Sequence, residues 1–254
     1  MRKWILTTLC VICLAGSVQA ESKITQIMNS IDELQDIKTD ITAKVKMTQQ
    51  KVTQGIKATE MIYYRRDKDD SFLILMTGPE SEKGNGYLKS GDNFWMYRRN
   101  TRTFQHINRD ESIGGSDASA DDFEKRKLVD LYKPALDGKG LESIVEEVLG
   151  TIPVYKIKLI AKVSDVKYPS LTYWVRKDNL LPLKEQSYSL SGTLMETAYY
   201  RKYTLIDGKY VFIQAMFIDE FEKGNKTMVE ISGISTKKVE DSVFTKAYLE
   251  NISK

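Results

Sequence analysis

The sequence predicts a mainly β protein of the α+β class, with about eleven antiparallel strands and a few helices. Three observations carry that reading. Apolar and polar residues alternate with period two over long stretches, as in Ile41, Ala43, Val45 and Met47 against Thr42, Lys44, Lys46 and Thr48. Turn signals recur at short spacing, among them Gln54-Gly55, Gly78-Pro79, Ser90-Gly91-Asp92 and Asp207-Gly208. Helical period appears in only three places.

The first residues read as a secretory leader. Arg2 and Lys3 precede an apolar run from Trp4 to Gly16, too short to span a bilayer, and Val18-Gln19-Ala20 fits a cleavage site after Ala20. Residues 1–20 are therefore expected to be a cleaved signal peptide, with residues 21–254 forming one domain. Both cysteines, Cys10 and Cys13, lie in the leader, so the mature chain would carry neither disulfide nor thiol nucleophile. Ser17 stands where a lipoprotein signal would place its acylated cysteine, so no lipid anchor is expected. The implied compartment is the periplasm. Losing Arg2 and Lys3 lowers the net charge from +3 to +1. That balance offers no concentrated basic face for nucleic acid.

Ile24, Ile27, Met28, Ile31 and Leu34 mark an amphipathic helix starting near Ser22. Strands are then expected at 41–48, 58–65, 72–76, 86–89, 93–98 and 103–108. Residues 109–121 break the pattern as a long loop rich in glycine, serine and aspartate. Asp122–Leu131 and Gly140–Leu149 follow as expected helices, the second on the stripe of Leu141, Ile144, Val145, Val148 and Leu149. Strands resume at 154–163, 171–176, 183–189, 193–205, 210–220 and 227–235.

Candidate chemistry is sparse. His106 is the single histidine, and with no cysteine beside it there is no metal-ligand spacing. The glycines at 84–86 and 114–115 lack the strand-helix context of a phosphate loop, and Ser116 lies outside any nucleophile elbow. Asp121 and Asp122 fit a helix start better than a catalytic pair. No enzyme activity, metal or cofactor is expected.

Apolar excess stands out instead. Phe72–Met76, Phe94–Tyr97 and Val211–Ile218 are apolar on both strand faces. Two architectures accommodate this: a sandwich with some aromatic exposure, or a highly curved sheet with one face around a hydrophobic cavity and the other partly covered by helices. In the second, Phe72, Ile74, Met76, Trp95, Tyr97, Phe212 and Met216 are the candidate ligand-binding residues, with Trp95 and Tyr97 turned inward.

The stretch Gly86–Ile107 resembles the central strands of the outer-membrane lipoprotein-sorting family, the LolA/LolB-like group, in its LolA-like branch. The matching positions are Gly91, Asp92, Asn93, Trp95, Tyr97 and Arg102. Gly115, Ser116, Asp117 and Asp122 resemble a second family segment, with Phe123 in place of the usual leucine. Phe244 and Leu249 resemble the closing one. The resemblance implies an open, incomplete antiparallel β-barrel with helices forming a lid. It implies a monomeric periplasmic carrier that takes lipid or lipoprotein acyl chains from an inner-membrane transporter complex toward an outer-membrane acceptor. The alternative it leaves is an accessory subunit of a membrane transporter that carries no lipid itself.

Overall fold

The structure, a computed structural model, describes residues 21–108, 111, 113 and 126–254. The expected leader, the glycines at 114–115, Ser116, Asp117 and Asp121–Phe123 lie outside the described residues.

Helix α1 (Lys23–Gln35) opens the described chain. Ser22 caps it, its Oγ accepting from the backbone N–H of Thr25 at 3.1 Å. Ile24, Ile27, Met28 and Ile31 recur at helical spacing and are all buried. Six strands follow: β1 (Ile41–Lys51), β2 (Gly55–Arg66), β3 (Ser71–Gly78), β4 (Gly86–Ser90), β5 (Asn93–Arg98) and β6 (Thr103–His106). The short helix α2 (Leu128–Leu131) leads to β7 (Tyr132–Pro134), β8 (Ile144–Leu149), β9 (Ile152–Ala161) and β10 (Ser170–Arg176). Then come β11 (Pro182–Tyr188), β12 (Leu194–Ile206), β13 (Lys209–Asp219) and β14 (Lys226–Ser235), and helix α3 (Lys246–Ile252) near the end.

The fourteen strands of the described residues form one antiparallel sheet, in the order β6-β5-β4-β3-β2-β1-β14-β13-β12-β11-β10-β9-β7, with β8 also pairing β9. Because β1 pairs with β14, the first and last strands meet in the middle, and the sheet remains open at β6 and β7.

The strand count exceeds the expected eleven. The added strands include β7, of three residues, and β8. The latter corrects the helix expected at Gly140–Leu149. The 3–4 spacing of its apolar residues is genuine, but Ile144, Val145 and Val148 are β-branched. A tight turn through Gly150, at φ +66°, folds the segment back so that Leu149 pairs with Ile152 and Ile144 with Ile157. Val145 and Val148 stay exposed on that edge. The helix expected at Asp122–Leu131 is α2 alone among the described residues.

Directly paired residues share a face of the sheet. On the inner face, Val45 and Met47 of β1, Met61 of β2, Phe72, Ile74 and Met76 of β3, Tyr87 of β4 and Phe94 and Met96 of β5 form one buried cluster. Ile107 and Ile113, both buried, pack onto it from beyond β6. At the other end of the same face, α1 lies on Ile157, Leu159, Leu171 and Val175. Asp32 of α1 accepts hydrogen bonds from the backbone N–H groups of Leu128 and Val129 at 2.8 and 3.0 Å, tying α1 to α2.

On the outer face the C-terminal segment covers β3–β6. Val239, Val243, Phe244 and Leu249 pack on Leu73, Leu88 and Tyr97, with Trp95 and Phe104 beside them. At Gly86, α3 approaches β4 closely. A Cβ there would meet Leu249 Cδ1 at 2.5 Å and the Ile74 carbonyl oxygen at 2.8 Å. The two ends of the described chain thus cover opposite faces of opposite halves of the sheet.

Candidate ligand cavity

Between the filled cluster and the seat of α1, the inner face holds an open cavity of about 570 Å³. Its walls follow from strand alternation. Ile41, Ala43, Val45 and Met47 project from β1, and their β14 partners Val229 and Ile231 stand opposite Met47 and Val45. Phe217 lies across from Thr227, and Phe212 packs against Tyr200 with ring centroids 5.6 Å apart. Tyr63 and Arg65 of β2 complete that side, opposite Ala43 and Ile41.

One end is closed. Ile37, Ile41 and Ala43 pack with Ile206, Val211, Ile231 and Ile234. The other end carries charged and exposed groups: Glu196, Asp219, Glu222, Lys167 and Lys226, with Phe221 68% exposed among them. The cavity is therefore greasy along its length and polar at its mouth.

Two polar groups interrupt the grease. Arg65 donates from Nε and Nη2 to the two carboxylate oxygens of Asp67, at 2.5 and 2.9 Å. Burial works against the Arg65 charge, but Asp67 outweighs it and the guanidinium is held more firmly protonated than usual. Burial pushes the neighbouring Tyr63 hydroxyl up to about 12. The second group centres on Glu185, between the cavity and α1. Tyr200 donates to Glu185 Oε2 at 2.9 Å and Ser187 to Oε1 at 3.3 Å. Burial, reinforced by the Glu185 charge, raises Tyr173 and Tyr200 well above the ordinary tyrosine value.

Of the seven residues chosen from sequence, Phe212 lines this cavity. Phe72, Ile74 and Met76 share its face but are packed into the adjoining cluster, each at most 2% exposed. That cluster meets the cavity wall through Val45, Met47, Tyr63, Val229 and Ile231. The expected inward facing of Trp95 and Tyr97 is reversed. They face the C-terminal segment, with Lys246 Nζ 3.0 Å from the Trp95 ring centroid and Tyr97 4.7 Å from Phe104. Phe94 and Met96 point inward instead. Met216 pairs with Met228 and Tyr199, on the outer face.

Sequence reasoning passed over Tyr63, Arg65, Tyr200, Val229 and the inward residues of β1. The signal that could have found them was β1 itself, the cleanest alternation in the chain. His106, at the β6 edge, stands edge-on to Trp95 with centroids 5.0 Å apart. Among the described residues, no group of three or more His, Cys, Asp or Glu is placed to hold a metal ion. Nor is any described helix long and apolar enough to cross a membrane.

An antiparallel sheet around an apolar hollow, with a helix across one end of its inner face, is a fold this chain has in common with other proteins. Solved structures share it. A LolA superfamily protein from Nitrosomonas europaea matches with a TM-score of 0.71 at 20% identity, over 88% of this chain and 98% of that one. A DUF1329 family protein from Desulfovibrio piger matches at 0.74 and 22% identity, over 88% and 96%. An outer membrane lipoprotein-sorting protein domain from Vibrio parahaemolyticus matches at 0.74 and 17% identity, over 89% and 97%. A family model described as "-like: Uncharacterized protein" matches residues 68–251, well over half of the chain. The chain belongs to the family that this model describes, and it shares its fold with the structures above. No curated protein matches it significantly.

Proposed function

We propose that this protein is a periplasmic carrier, without enzyme activity, that binds a lipid or lipoprotein acyl chains in its cavity and moves them toward the outer membrane. The observation that carries the reading is the cavity itself. A soluble fold ordinarily fills such space with its own side chains. Here Ile41, Ala43, Val45, Met47, Phe212 and Val229 surround about 570 Å³ left open to one end. Each acyl methylene moved out of water contributes about 0.8 kcal/mol, so a chain gains strongly by entering and needs no covalent chemistry to be held. The polar mouth suits a headgroup that stays wet. The leader-like residues 1–20 and the family membership support the compartment. An inner-membrane transporter as donor and an outer-membrane acceptor complete the route.

The test is direct. Protein isolated from its native periplasm is examined by native mass spectrometry, and delipidated protein is titrated with a fluorescent fatty acid. A co-purifying lipid and saturable uptake are expected. Absence of both would overturn the carrier reading.

A further inference from the structure

We infer that the rim around the cavity mouth is a docking surface for a lipid bilayer that carries anionic headgroups. Sheet order sets β11, β12, β13, β14, β1 and β2 side by side. The β11–β12, β13–β14 and β1–β2 turns therefore stand next to one another along one edge. Each lifts apolar side chains into water. Leu190 on the first is 92% exposed, Phe221 on the second 68%, and Val52 and Ile56, flanking the third, 71% and 74%. No other large apolar side chain among the described residues is as exposed as these four. The turns that carry them are held in place. Val52 donates its backbone N–H to Asn225 Oδ1 at 3.0 Å, and Asn225 Nδ2 donates to Glu222 Oε2 at 2.8 Å. Gly224 lies so close that a Cβ there would come within 2.6 Å of Val52 Cγ2. Around Leu190, the hydroxyls of Ser189, Ser191 and Thr193 are linked at 2.8 and 3.1 Å.

Two features point to a bilayer rather than a protein. The core of a protein interface is a continuous apolar patch packed to interior density. Here single apolar side chains stand on separate turns, parted by Thr53, Gln54, Ser191 and Lys223. A soft acyl boundary takes up such separate anchors without a matching shape. The second feature is charge. Lys51 and Lys57 bracket the β1–β2 turn with no acidic residue between them, and Lys223 and Lys226 follow Phe221. The acidic groups of the β13–β14 turn are engaged within the fold. Asp219 accepts from the backbone N–H groups of Phe221 and Glu222 at 2.9 and 2.7 Å. Glu220 accepts from the Thr197 hydroxyl at 2.6 Å, and Glu222 holds Asn225. Lysines beside shallow apolar anchors complement anionic headgroups. The rim is continuous with the cavity, whose lining includes Phe221, Glu222 and Lys226. Docking there sets the hollow against the bilayer. Resting for this last step on the carrier reading, an acyl chain then passes between the two without crossing water.

The experiment reads co-flotation of protein isolated from the periplasm with vesicles of phosphatidylethanolamine and phosphatidylglycerol. Saturable binding is expected, at least about tenfold tighter than to vesicles of phosphatidylcholine alone. No binding to the phosphatidylglycerol vesicles, or equal binding to both kinds, would overturn the docking surface. Fatty-acid uptake, measured in parallel, keeps the two readings apart: uptake without vesicle binding refutes the docking alone, and vesicle binding without uptake refutes the carrier alone. The triple variant Val52→Ser, Ile56→Ser and Leu190→Ser changes only exposed side chains. It is expected to keep its circular dichroism spectrum and its fatty-acid uptake and to bind the vesicles about tenfold or more weakly. Undiminished binding by that variant would refute the assignment. Orientation is read with an environment-sensitive dye on single introduced cysteines, since Cys10 and Cys13 both lie in the expected leader. The dye on Leu190→Cys is expected to shift to the blue on vesicles. The dye on Leu205→Cys, beside the β12–β13 turn at the opposite end of the strands, is expected to stay unshifted. An equal or larger shift at the second position would overturn the rim as the docking face.

Discussion

The two halves of the inner face have similar grease and different fates. Around β3–β5, Phe72, Ile74, Met76, Phe94 and Met96 close on one another, with Ile107 and Ile113 packed over them. Around β12–β14 and β1, residues just as apolar leave a hollow. The difference lies in what covers each strand. The β3–β5 strands are apolar on both sides because both are buried, the inner by that cluster and the outer by the C-terminal segment. β1 is apolar on one side only, with Thr42, Lys44, Lys46 and Thr48 turned the other way. In β3–β5 the two-faced grease marks a core, whereas in β1 clean alternation faces a hollow.

The sharpest way to break this comparison is to truncate one phenylalanine in each half. Phe72→Ala should cost about 3–5 kcal/mol in denaturant unfolding, as for a fully enclosed ring, and change ligand affinity little once the protein is folded. Phe212→Ala should cost about 1 kcal/mol in stability and weaken fatty-acid uptake severalfold. Equal stability losses would erase the distinction between core and container. Next in size is Asp67→Asn. It leaves the Arg65 guanidinium, whose side chain is 22% exposed, without its carboxylate in a largely apolar wall. A loss of about 2–3 kcal/mol in chemical unfolding is expected, and a neutral outcome would mean that the pair is dispensable. Trp95→Ser removes a half-buried ring from the outer face and should cost about 1–2 kcal/mol with unaltered lipid uptake. Phe94→Ser, on the inner face, should be the more damaging to the fold. A specific loss of uptake in Trp95→Ser would reverse the facing.

The smallest expected effect is alkaline. Tyr63 keeps its proton up to about pH 12 in the folded chain and loses it near pH 10 once unfolded. Between those values unfolding releases a proton, so this contribution to stability is complete below pH 10 and falls away as pH rises toward 12. Tyr173 and Tyr200, raised by burial, act in the same direction. Thermal melts across that window, for the wild type and Tyr63→Phe, should show a shallower loss in the variant. Identical slopes would remove Tyr63 from the account.

Much of the fold was legible. Helix α1 follows from its capping serine and four apolar positions, and most strands from alternation and turn residues. The misreadings have physical causes. In Ile144–Leu149, helical spacing was outweighed by β-branched residues and by the turn that lays them on β9. For Asn93–Arg98, alternation separates Phe94 and Met96 from Trp95 and Tyr97 but carries no information about which pair faces in. That depends on where Ile107, Ile113 and α3 come to rest, and those are long-range facts. The cavity was inferred from excess grease, and of the three greasy stretches only Val211–Ile218 lines it, through Val211, Phe212 and Phe217. A hollow needs only one apolar face per strand, and β1 showed that face plainly. Arg65 and Tyr63 gave no sequence signal, since an arginine beside Asp67 reads as an ordinary surface pair.

The seat of α1 has a consequence for how the molecule is assembled. The helix comes first in the described chain, yet it rests on β9 and β10, and its Ile24 N–H donates to a Glu142 carboxylate 118 residues further on. As the chain emerges from its amino end, the apolar stripe from Ile24 to Ile31 has nowhere to settle until most of the sheet exists. Contacts of such long sequence separation close slowly. The helix is therefore a latch that shuts late, and until it does the nascent sheet presents its greasy hollow and the greasy helix to the same surroundings. A chaperone that shields apolar segments during that interval would raise the yield of folded protein without changing its final stability.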